Sequence, residues 1–281
     1  MTSRRVFLVA FWVFTASIAF SILGTLALFI PPVAEFFRPY MTGLVQAPTW
    51  IYMGLLPVLS LALYWRELGP GRSLAFFAVG CFIGGAAELV GTQTGFPFGA
   101  YAYEHWLGPK IAGHVPYFIP PSWYALSVVC LDLARRFGLG RIGRIGATAV
   151  LMVVWDVALD PAMNEAFPFW TYAIPEDANV FTAGLFFGMP LVNWAGWLLT
   201  SALIAAVYEY ALGGLAPEPT PFVRQWAPPL YALNLLFPIA VCFLYGLPWA
   251  GVVGLAALAA VMLLLRWAEG RRVGRAAPLP V

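Results

Sequence analysis

The sequence predicts an all-α, polytopic integral membrane protein, and three observations lead to that fold class. Hydrophobic residues make up 62% of the 281 residues and charged residues only 10%, whereas a soluble domain has about 45–50% and about 25%. Long apolar runs recur along the chain, each near the ~20 residues that a helix needs to cross a bilayer. Basic residues fall between alternate runs. So few charges cannot cover a water-exposed globule, which also argues against a nucleic-acid-binding protein.

The apolar runs predict about eight transmembrane helices within a single domain, residues 1–270. The runs lie at about 6–30, 48–65, 73–90, 117–134, 145–161, 184–210, 228–247 and 249–267. The first run is too long for the core of a signal peptide, so we interpret it as a helix that ends at Pro31. The last two runs are joined so closely, through Gly246 and Pro248, that seven spans remain an alternative. Residues 271–281 are expected to form a disordered cytoplasmic tail.

The basic residues predict how the helices are oriented in the membrane. If the N-terminus is cytoplasmic, thirteen of the fifteen Lys and Arg residues face inside, and Arg38 and Lys110 face outside. This asymmetry follows the positive-inside rule. We therefore expect a multi-pass protein of the inner (plasma) membrane with cytoplasmic N- and C-termini. Two long aromatic-rich loops, 91–116 and 162–183, then lie on the outer side, where a functional site is expected.

Carboxyl groups within the predicted spans are the candidate catalytic residues, because ionisable groups are rare and costly there. Glu88 lies near the outer end of the third span. Asp156 and Asp160 lie near the outer end of the fifth, and their i, i+4 spacing puts both on one helix face. A shielded carboxyl group can act as a general acid, although each could instead form a helix–helix hydrogen bond. Asp132 and Glu209 lie near inner helix ends among arginines, where a structural role is expected.

Aromatic and polar side chains near the same depth form the candidate substrate-binding set. Aromatic rings stabilise a neighbouring cation, although many such residues belong to interfacial belts. The residues assigned to substrate binding are Thr94, Phe96, Phe98, Tyr101, Tyr103, Trp155, Asn193, Trp194 and Trp197. Further aromatics of the second outer loop, not assigned to the site, are Phe167, Phe169, Trp170 and Tyr172. His105, beside Glu104, is a candidate proton relay. His105 and His114 lack a third ligand at metal spacing, so no metal is expected.

Two glycine patterns invite interpretation. Gly138, Gly140 and Gly143 match the spacing of a dinucleotide-binding loop, but no strand precedes them, so we interpret them as a basic cytoplasmic turn. Gly80 and Gly84 have the spacing of a close-packing helix face. The three cysteines lie in apolar runs without metal-binding spacing and are expected to be buried side chains.

Three strings of residues resemble the CruF-type carotenoid 1′,2′-hydratases. They are GTQTGFPFGAYAYEHWLGPK at 91–110, WDVALDPAM at 155–163 and GMPLVNWAGW at 188–197. The resemblance implies cofactor-independent addition of water to the terminal 1,2 double bond of an acyclic carotenoid end group, giving a tertiary alcohol. Lycopene, γ-carotene or a C50 precursor is the implied substrate, dissolved in the lipid bilayer. Other carotenoid-biosynthesis enzymes are candidate partners.

The chemistry of alkene hydration agrees with the candidate residues. Asp156 or Asp160 would donate a proton, and the other carboxylate or Glu88 would orient and deprotonate water. Two alternatives stay open. A UbiA-like membrane prenyltransferase would use Asp156 and Asp160 as half of a Mg²⁺-diphosphate site, but would need a second acidic motif and nearby basic residues. A non-enzymatic carotenoid-binding membrane protein would need the aromatic residues but not the carboxyl groups.

Overall fold

The computed structural model describes residues 2–166 and 168–276, with side chains as far as residue 271; Phe167 and the tail residues 277–281 lie outside the described residues. The described chain is predominantly helical. Its helices are Ser3–Leu28 (α1), Pro31–Phe37 (α2), Met41–Thr94 (α3), Ile119–Arg135 (α4), Arg141–Asp160 (α5), Val192–Tyr210 (α6), Pro221–Leu244 (α7) and Pro248–Ala276 (α8). A 3₁₀ turn, Arg38–Tyr40, joins α2 to α3, and a π-helical turn, Pro161–Ala166, continues α5.

Within the described residues, five helical stretches are long and apolar enough to cross a membrane. They are Ser3–Leu28, Pro31–Thr94, Arg141–Ala166, Pro221–Leu244 and Pro248–Arg271. These stretches support the predicted all-α membrane fold, whereas the count of eight spans is not confirmed. One reason is that α3 includes two of the predicted spans. Its backbone leaves helical geometry at Gly69, with φ 74° and ψ 165°, a conformation that glycine adopts readily.

Several predicted boundaries need correction. Helix α6 begins at Val192 rather than at 184, because Phe187 and Gly188 have positive φ angles of 50° and 80° and cannot continue a right-handed helix. Helix α8 continues to Ala276, into the segment predicted as a disordered tail. Helix α3 ends at Thr94 and the π-helical turn at Ala166, so both outer loops begin later than predicted.

Glycines bring α3 and α4 into close contact, as predicted. A Cβ atom on Gly80 would lie 2.6 Å from the Cα atom of Tyr124, and one on Gly84 would overlap the side chain of Trp123. Only glycine permits this approach of two helix backbones. The contact places Trp123 of α4 beside the helical turn of α3 that follows Gly84.

The two long loops, predicted to lie on the outer side, are joined by a short antiparallel ladder. Strand Tyr101–Tyr103 (β1) of the first loop pairs with Trp170–Tyr172 (β4) of the second, with Tyr101 opposite Tyr172 and Tyr103 opposite Trp170. Alternate residues of a strand face the same side of a ladder, so these four aromatic side chains share one face. A second small ladder, Lys110–Ile111 (β2) with Val115–Pro116 (β3), lies within the first loop.

Candidate active site

A largely apolar cavity of about 1020 Å³ lies between the β1–β4 ladder and helices α1, α3, α4, α5, α6 and α7. The carboxyl groups of Glu88, Asp156 and Asp160 all line it, and these residues are only 5%, 0% and 1% exposed. Much of the remaining wall is aromatic: Phe98, Tyr101, Tyr103, Trp123, Trp155, Phe169, Trp170, Tyr172 and Trp197. The structure thus brings together the three carboxyl groups that the sequence placed at one depth.

Glu88 accepts three hydrogen bonds. The indole NH of Trp123 donates to Oε1 at 2.9 Å, the hydroxyl of Tyr103 donates to Oε2 at 2.9 Å, and the hydroxyl of Tyr101 also donates to Oε2. Burial and the neighbouring Glu88 raise the pKa of both tyrosines well above the ordinary value. Both phenols therefore keep their protons and remain donors to Glu88.

Asp160 also accepts three hydrogen bonds, from the second outer loop and from α6. Trp170 Nε1 and Tyr172 Oη donate to Oδ1 at 2.8 and 3.0 Å. The amide nitrogen of Asn193 donates to Oδ2 at 2.5 Å. Burial and the negative charge of Asp160 raise the pKa of Tyr172, which therefore remains a donor. Two strands of one ladder thus each hold one carboxyl group: β1 holds Glu88 and β4 holds Asp160.

Asp156 differs from the other two carboxyl groups. Its Oδ2 accepts a single hydrogen bond, at 3.1 Å, from the same Asn193 amide that binds Asp160. Its Oδ1 is buried and has no hydrogen-bond partner among the described residues. Donors stabilise the ionised form of a carboxyl group. Glu88 and Asp160 therefore each have three donors that stabilise an ionised carboxylate, whereas Oδ1 of Asp156, which accepts no hydrogen bond, can carry a proton.

Neutral donors alone surround the cluster. Within the described part of the chain, none of the three carboxyl groups forms a salt bridge, and no Lys or Arg side chain lines the cavity. Like charges close together in a poorly hydrated site repel one another. The arrangement is therefore suited to hold at least one proton among three acids.

Six of the nine residues predicted to bind substrate line the cavity: Phe98, Tyr101, Tyr103, Trp155, Asn193 and Trp197. The structure corrects the placement of the other three. The hydroxyl of Thr94 donates to the Val90 carbonyl of its own helix at 2.8 Å, and Thr94 lines a separate recess beside the β1–β4 ladder. Phe96 is 64% exposed. Trp194 does not line the cavity and packs against Phe186, with ring centroids 4.8 Å apart, but its indole also interacts with the carboxyl group of Asp156.

The candidate proton relay lies away from the carboxyl groups. Glu104 accepts a long hydrogen bond from Thr171, at 3.4 Å, and the ring of His105 packs on Trp106 with centroids 4.2 Å apart. Neither Glu104 nor His105 lines the cavity. Because alternate residues of β1 face Glu88, the next residue, Glu104, faces the opposite side of the ladder, where Thr171 lies.

Three direct ligands of the carboxyl groups were not assigned to the site from the sequence: Trp123, Trp170 and Tyr172. Trp170 and Tyr172 repeat the alternating aromatic pattern of Tyr101 and Tyr103, and that repetition is the signal that identifies them. Trp123 lies opposite Gly84, whose missing side chain makes room for it. Pairing the glycine face with a neighbouring aromatic residue would have been needed to find it.

The carboxyl groups at the other ends of the helices have the structural role that was predicted. Asp132 binds Arg135 and also Arg136, the latter at 2.7 Å, and Glu209 binds Arg144. Asp132 and Glu209 are buried. Their charges are matched by arginines, which distinguishes them from the cluster in the cavity.

The helical membrane fold and the aromatic cavity with its buried acid cluster are suited to a membrane protein that binds a lipophilic molecule. Residues 48–263 match the family of carotenoid biosynthesis proteins. The match covers most of the chain and all three cavity carboxyl groups, so the chain belongs to this family.

Among characterised relatives is the bisanhydrobacterioruberin hydratase of Haloarcula japonica. It is 29% identical to this chain over 70% of the chain and 64% of its own length. The chain thus spans slightly less than two thirds of that relative. No solved structure matches the chain.

Proposed function

We propose that the protein is a carotenoid hydratase that adds water across the terminal 1,2 double bond of an acyclic carotenoid end group. The observation that carries the proposal is the buried cluster of Glu88, Asp156 and Asp160, held by neutral donors within an aromatic cavity. Membership of the carotenoid biosynthesis family and similarity to a carotenoid hydratase support the same type of reaction. Lycopene, γ-carotene or a C50 precursor is the proposed substrate.

Asp156 is the proposed proton donor. Its proton is transferred to C2 of the alkene, whose π electrons form the new C–H bond and leave a tertiary cation at C1. Aromatic faces stabilise such a cation without reacting with it. Trp197 lines the cavity and is proposed to contribute such a face. It is held in place by Trp123, on which it stacks with centroids 4.4 Å apart, and lies 5.7 Å from Trp155.

Asp160 is the proposed base. Water attacks C1 while its proton is transferred to Asp160, so that a C–O bond forms and a tertiary alcohol results. The proton then returns from Asp160 to Asp156, which lies one helical turn away and shares the Asn193 amide. Glu88, held by three donors, supplies a fixed negative charge near the cation. The alkene and one water molecule together contain all the atoms of the alcohol, and no oxidation or reduction is required, so no cofactor is proposed.

The same cavity disfavours the prenyltransferase alternative. A diphosphate group requires cationic partners, yet the described cavity wall contains no Lys or Arg. A carotenoid-binding protein without catalytic activity would not need acid groups in its cavity, because burying a carboxyl group is unfavourable.

Expression in a lycopene-producing bacterium tests the function. We expect the pigment mass to increase by one water, and washed membranes to retain the activity in excess chelator. A prenyl increment would support the prenyltransferase, and unchanged pigment bound to the purified protein would support a binding protein. Loss of hydration that Mg²⁺ restores would contradict a cofactor-independent reaction.

We further propose eight spans in the inner (plasma) membrane, with cytoplasmic termini and the cavity near the outer side. The thirteen-to-two distribution of basic residues supports this topology. Single cysteines at Lys110 and Arg141, in a background without the native cysteines, should react with an impermeant reagent from opposite sides of the membrane. Labelling from the same side would contradict it.

A further inference from the structure

A second cavity, called here the tail chamber, adjoins the first. It has a volume of about 1130 Å³ and lies between α1, α2, the beginning of α3 and the end of α7. Residues that line both cavities are Ser21, Pro48, Thr49, Met163, Phe169 and Phe237. These shared residues place the tail chamber directly beside the cavity that holds the carboxyl groups.

The tail chamber is suited to hydrocarbon. The described residues that line it include no charged side chain. Its serine and threonine hydroxyls are turned to their own helices: Ser21 donates to the Ser17 carbonyl at 2.9 Å, Thr25 to Ser21 at 2.8 Å and Thr49 to Val45 at 2.7 Å. Hydroxyls bonded in this way do not need a polar ligand. The other hydroxyl of the described lining belongs to Tyr245, a half-exposed residue at the edge of the chamber.

The tail chamber and the adjacent cavity with the carboxyl groups together have an elongated lining. Along α1 their lining extends from Ser17 to Leu28, about 16 Å at 1.5 Å per residue. Along α3 it extends from Met41 to Leu56, about 22 Å on the same basis. This shape fits a linear chain better than a compact molecule.

One side of the tail chamber reaches the apolar surface of the protein. Phe20 of α1 and Tyr245, just after α7, both line the chamber and are 52% and 41% exposed. Exposed apolar side chains continue along α1, at Leu23, Leu26 and Phe29. In a membrane this surface faces lipid, from which a dissolved carotenoid can reach the chamber.

We infer that the tail chamber holds the polyene of the carotenoid whose end group is hydrated, and that the carotenoid enters sideways from the bilayer between α1 and α7. The inference rests on the proposed function. It means that one end of the carotenoid reacts at a time, and that the enzyme recognises isoprene units well beyond the reacting bond.

Gly24→Phe tests this arrangement. Gly24 lines the tail chamber, and a Cβ atom there would meet no other atom within 4 Å, so a phenylalanine side chain at this position would occupy part of the chamber. Gly43→Phe is the matched control, since Gly43 has equally open space but does not line the chamber. We expect kcat/KM for lycopene to fall at least about tenfold in Gly24→Phe, because burial of the polyene is lost. A short alkene with the same terminal group and two isoprene units should react as before, and Gly43→Phe should hydrate both.

Measuring bound pigment tests the role of the tail chamber independently of the hydration reaction. Protein carrying Asp156→Asn, purified from lycopene-producing cells, should retain pigment, and adding Gly24→Phe should remove it. That result would support the chamber even if the unsubstituted protein hydrated neither alkene, which would instead contradict the proposed function. Equal hydration and pigment retention in Gly24→Phe and Gly43→Phe would overturn the inference. So would loss of co-purified phospholipid with unchanged pigment, because an acyl chain would then occupy the chamber.

Discussion

The two ends of this helical protein contain buried carboxyl groups in opposite electrostatic settings. At one end Asp132 binds Arg135 and Arg136, and Arg135 also binds Glu67 at 2.5 Å. At the other, the hydrogen bonds that Glu88, Asp156 and Asp160 accept within the described part of the chain come from tyrosine, tryptophan and asparagine. Burial is similar at the two ends, so burial alone does not identify a functional site.

The difference lies in what neutralises the negative charge. Arginine stays protonated at all relevant pH values, so it neutralises the charge of its partner carboxylate without a proton being taken up. A carboxyl cluster with only neutral donors can be neutralised by protons instead. The arginine-paired groups connect helices, and the proton-holding cluster lines the cavity. The predictions below test this contrast.

The largest effect is expected for Asp156→Asn. The amide keeps the shape of the side chain but removes the acid, and general acid catalysis contributes about 10²–10⁴-fold. We expect the variant to insert and fold, and its hydration rate to fall by about this factor or more. Pigment analysis of membranes containing equal amounts of protein measures the loss.

Asp160→Asn is the informative comparison with Asp156→Asn. It removes the proposed base, so it should also slow hydration. If Asp156→Asn retains substantial activity while Asp160→Asn abolishes it, the proton donor is Asp160, and the argument from hydrogen-bond partners is wrong.

Asp132→Asn should instead reduce stability. Arg135 and Arg136 are buried, and removing one partner of a buried ion pair is unfavourable by about 3–5 kcal/mol. Because Arg135 keeps Glu67 and Arg136 keeps Glu269, we expect the lower end of this range. Thermal unfolding in detergent measures it, and turnover per folded molecule should be unchanged.

Glu218→Gln provides the control for Asp132→Asn. Glu218 pairs with Arg224 at 2.7 Å, but both side chains are exposed, where such pairs contribute about 0–1 kcal/mol. Abolished turnover in folded Asp132→Asn would place the chemistry at the arginine-rich end and contradict the contrast.

Tyr101→Phe should slow hydration less than Asp156→Asn. Glu88 loses one donor and keeps Tyr103 and Trp123, and a hydrogen bond to a charged group contributes about 1.5–3 kcal/mol. Because two donors remain, we expect the lower end of this range, a fall in turnover of about tenfold, since 1.4 kcal/mol corresponds to tenfold. Tyr117→Phe, an exposed tyrosine of the same loop, should hydrate normally.

The pH profile gives a second measurement on Tyr101→Phe. Because the pKa of Tyr101 is raised by burial, its hydroxyl stays protonated as the pH rises through about 10, the ordinary tyrosine value. The alkaline part of the profile should therefore be the same in the unsubstituted protein and in Tyr101→Phe. A decline near pH ~10 that the substitution removes would show that the phenol titrates.

Features that depend on one helix could be predicted from the sequence. The i, i+4 spacing of Asp156 and Asp160, the apolar runs and the Gly80–Gly84 face are all local patterns. The common position of Glu88 with the two aspartates needed only the alternation of basic residues between spans. These features follow from helix geometry and from the thickness of the membrane.

Features that depend on loop pairing could not be predicted. Tyr101 and Tyr172 become neighbours only because two segments about seventy residues apart form a ladder. The same uncertainty explains the misplacement of Thr94 and Phe96. A threonine near a helix end bonds to its own backbone as readily as to a ligand, and the sequence does not show which choice is made.

The β1–β4 ladder makes the site sensitive to whether an odd or an even number of residues is inserted in its strands. One inserted residue in either strand would turn its aromatic side chains to the opposite face, because the side-chain period of a strand is two. Two inserted residues would restore the facing, whereas a matching single insertion in the other strand would turn its aromatic side chains away from the acids as well. Variation in length among related chains should therefore fall outside 101–103 and 170–172 or occur there in even steps. The acids are fixed in helices, whereas four of their donors depend on the alternation of side chains along two strands: Tyr101, Tyr103, Trp170 and Tyr172.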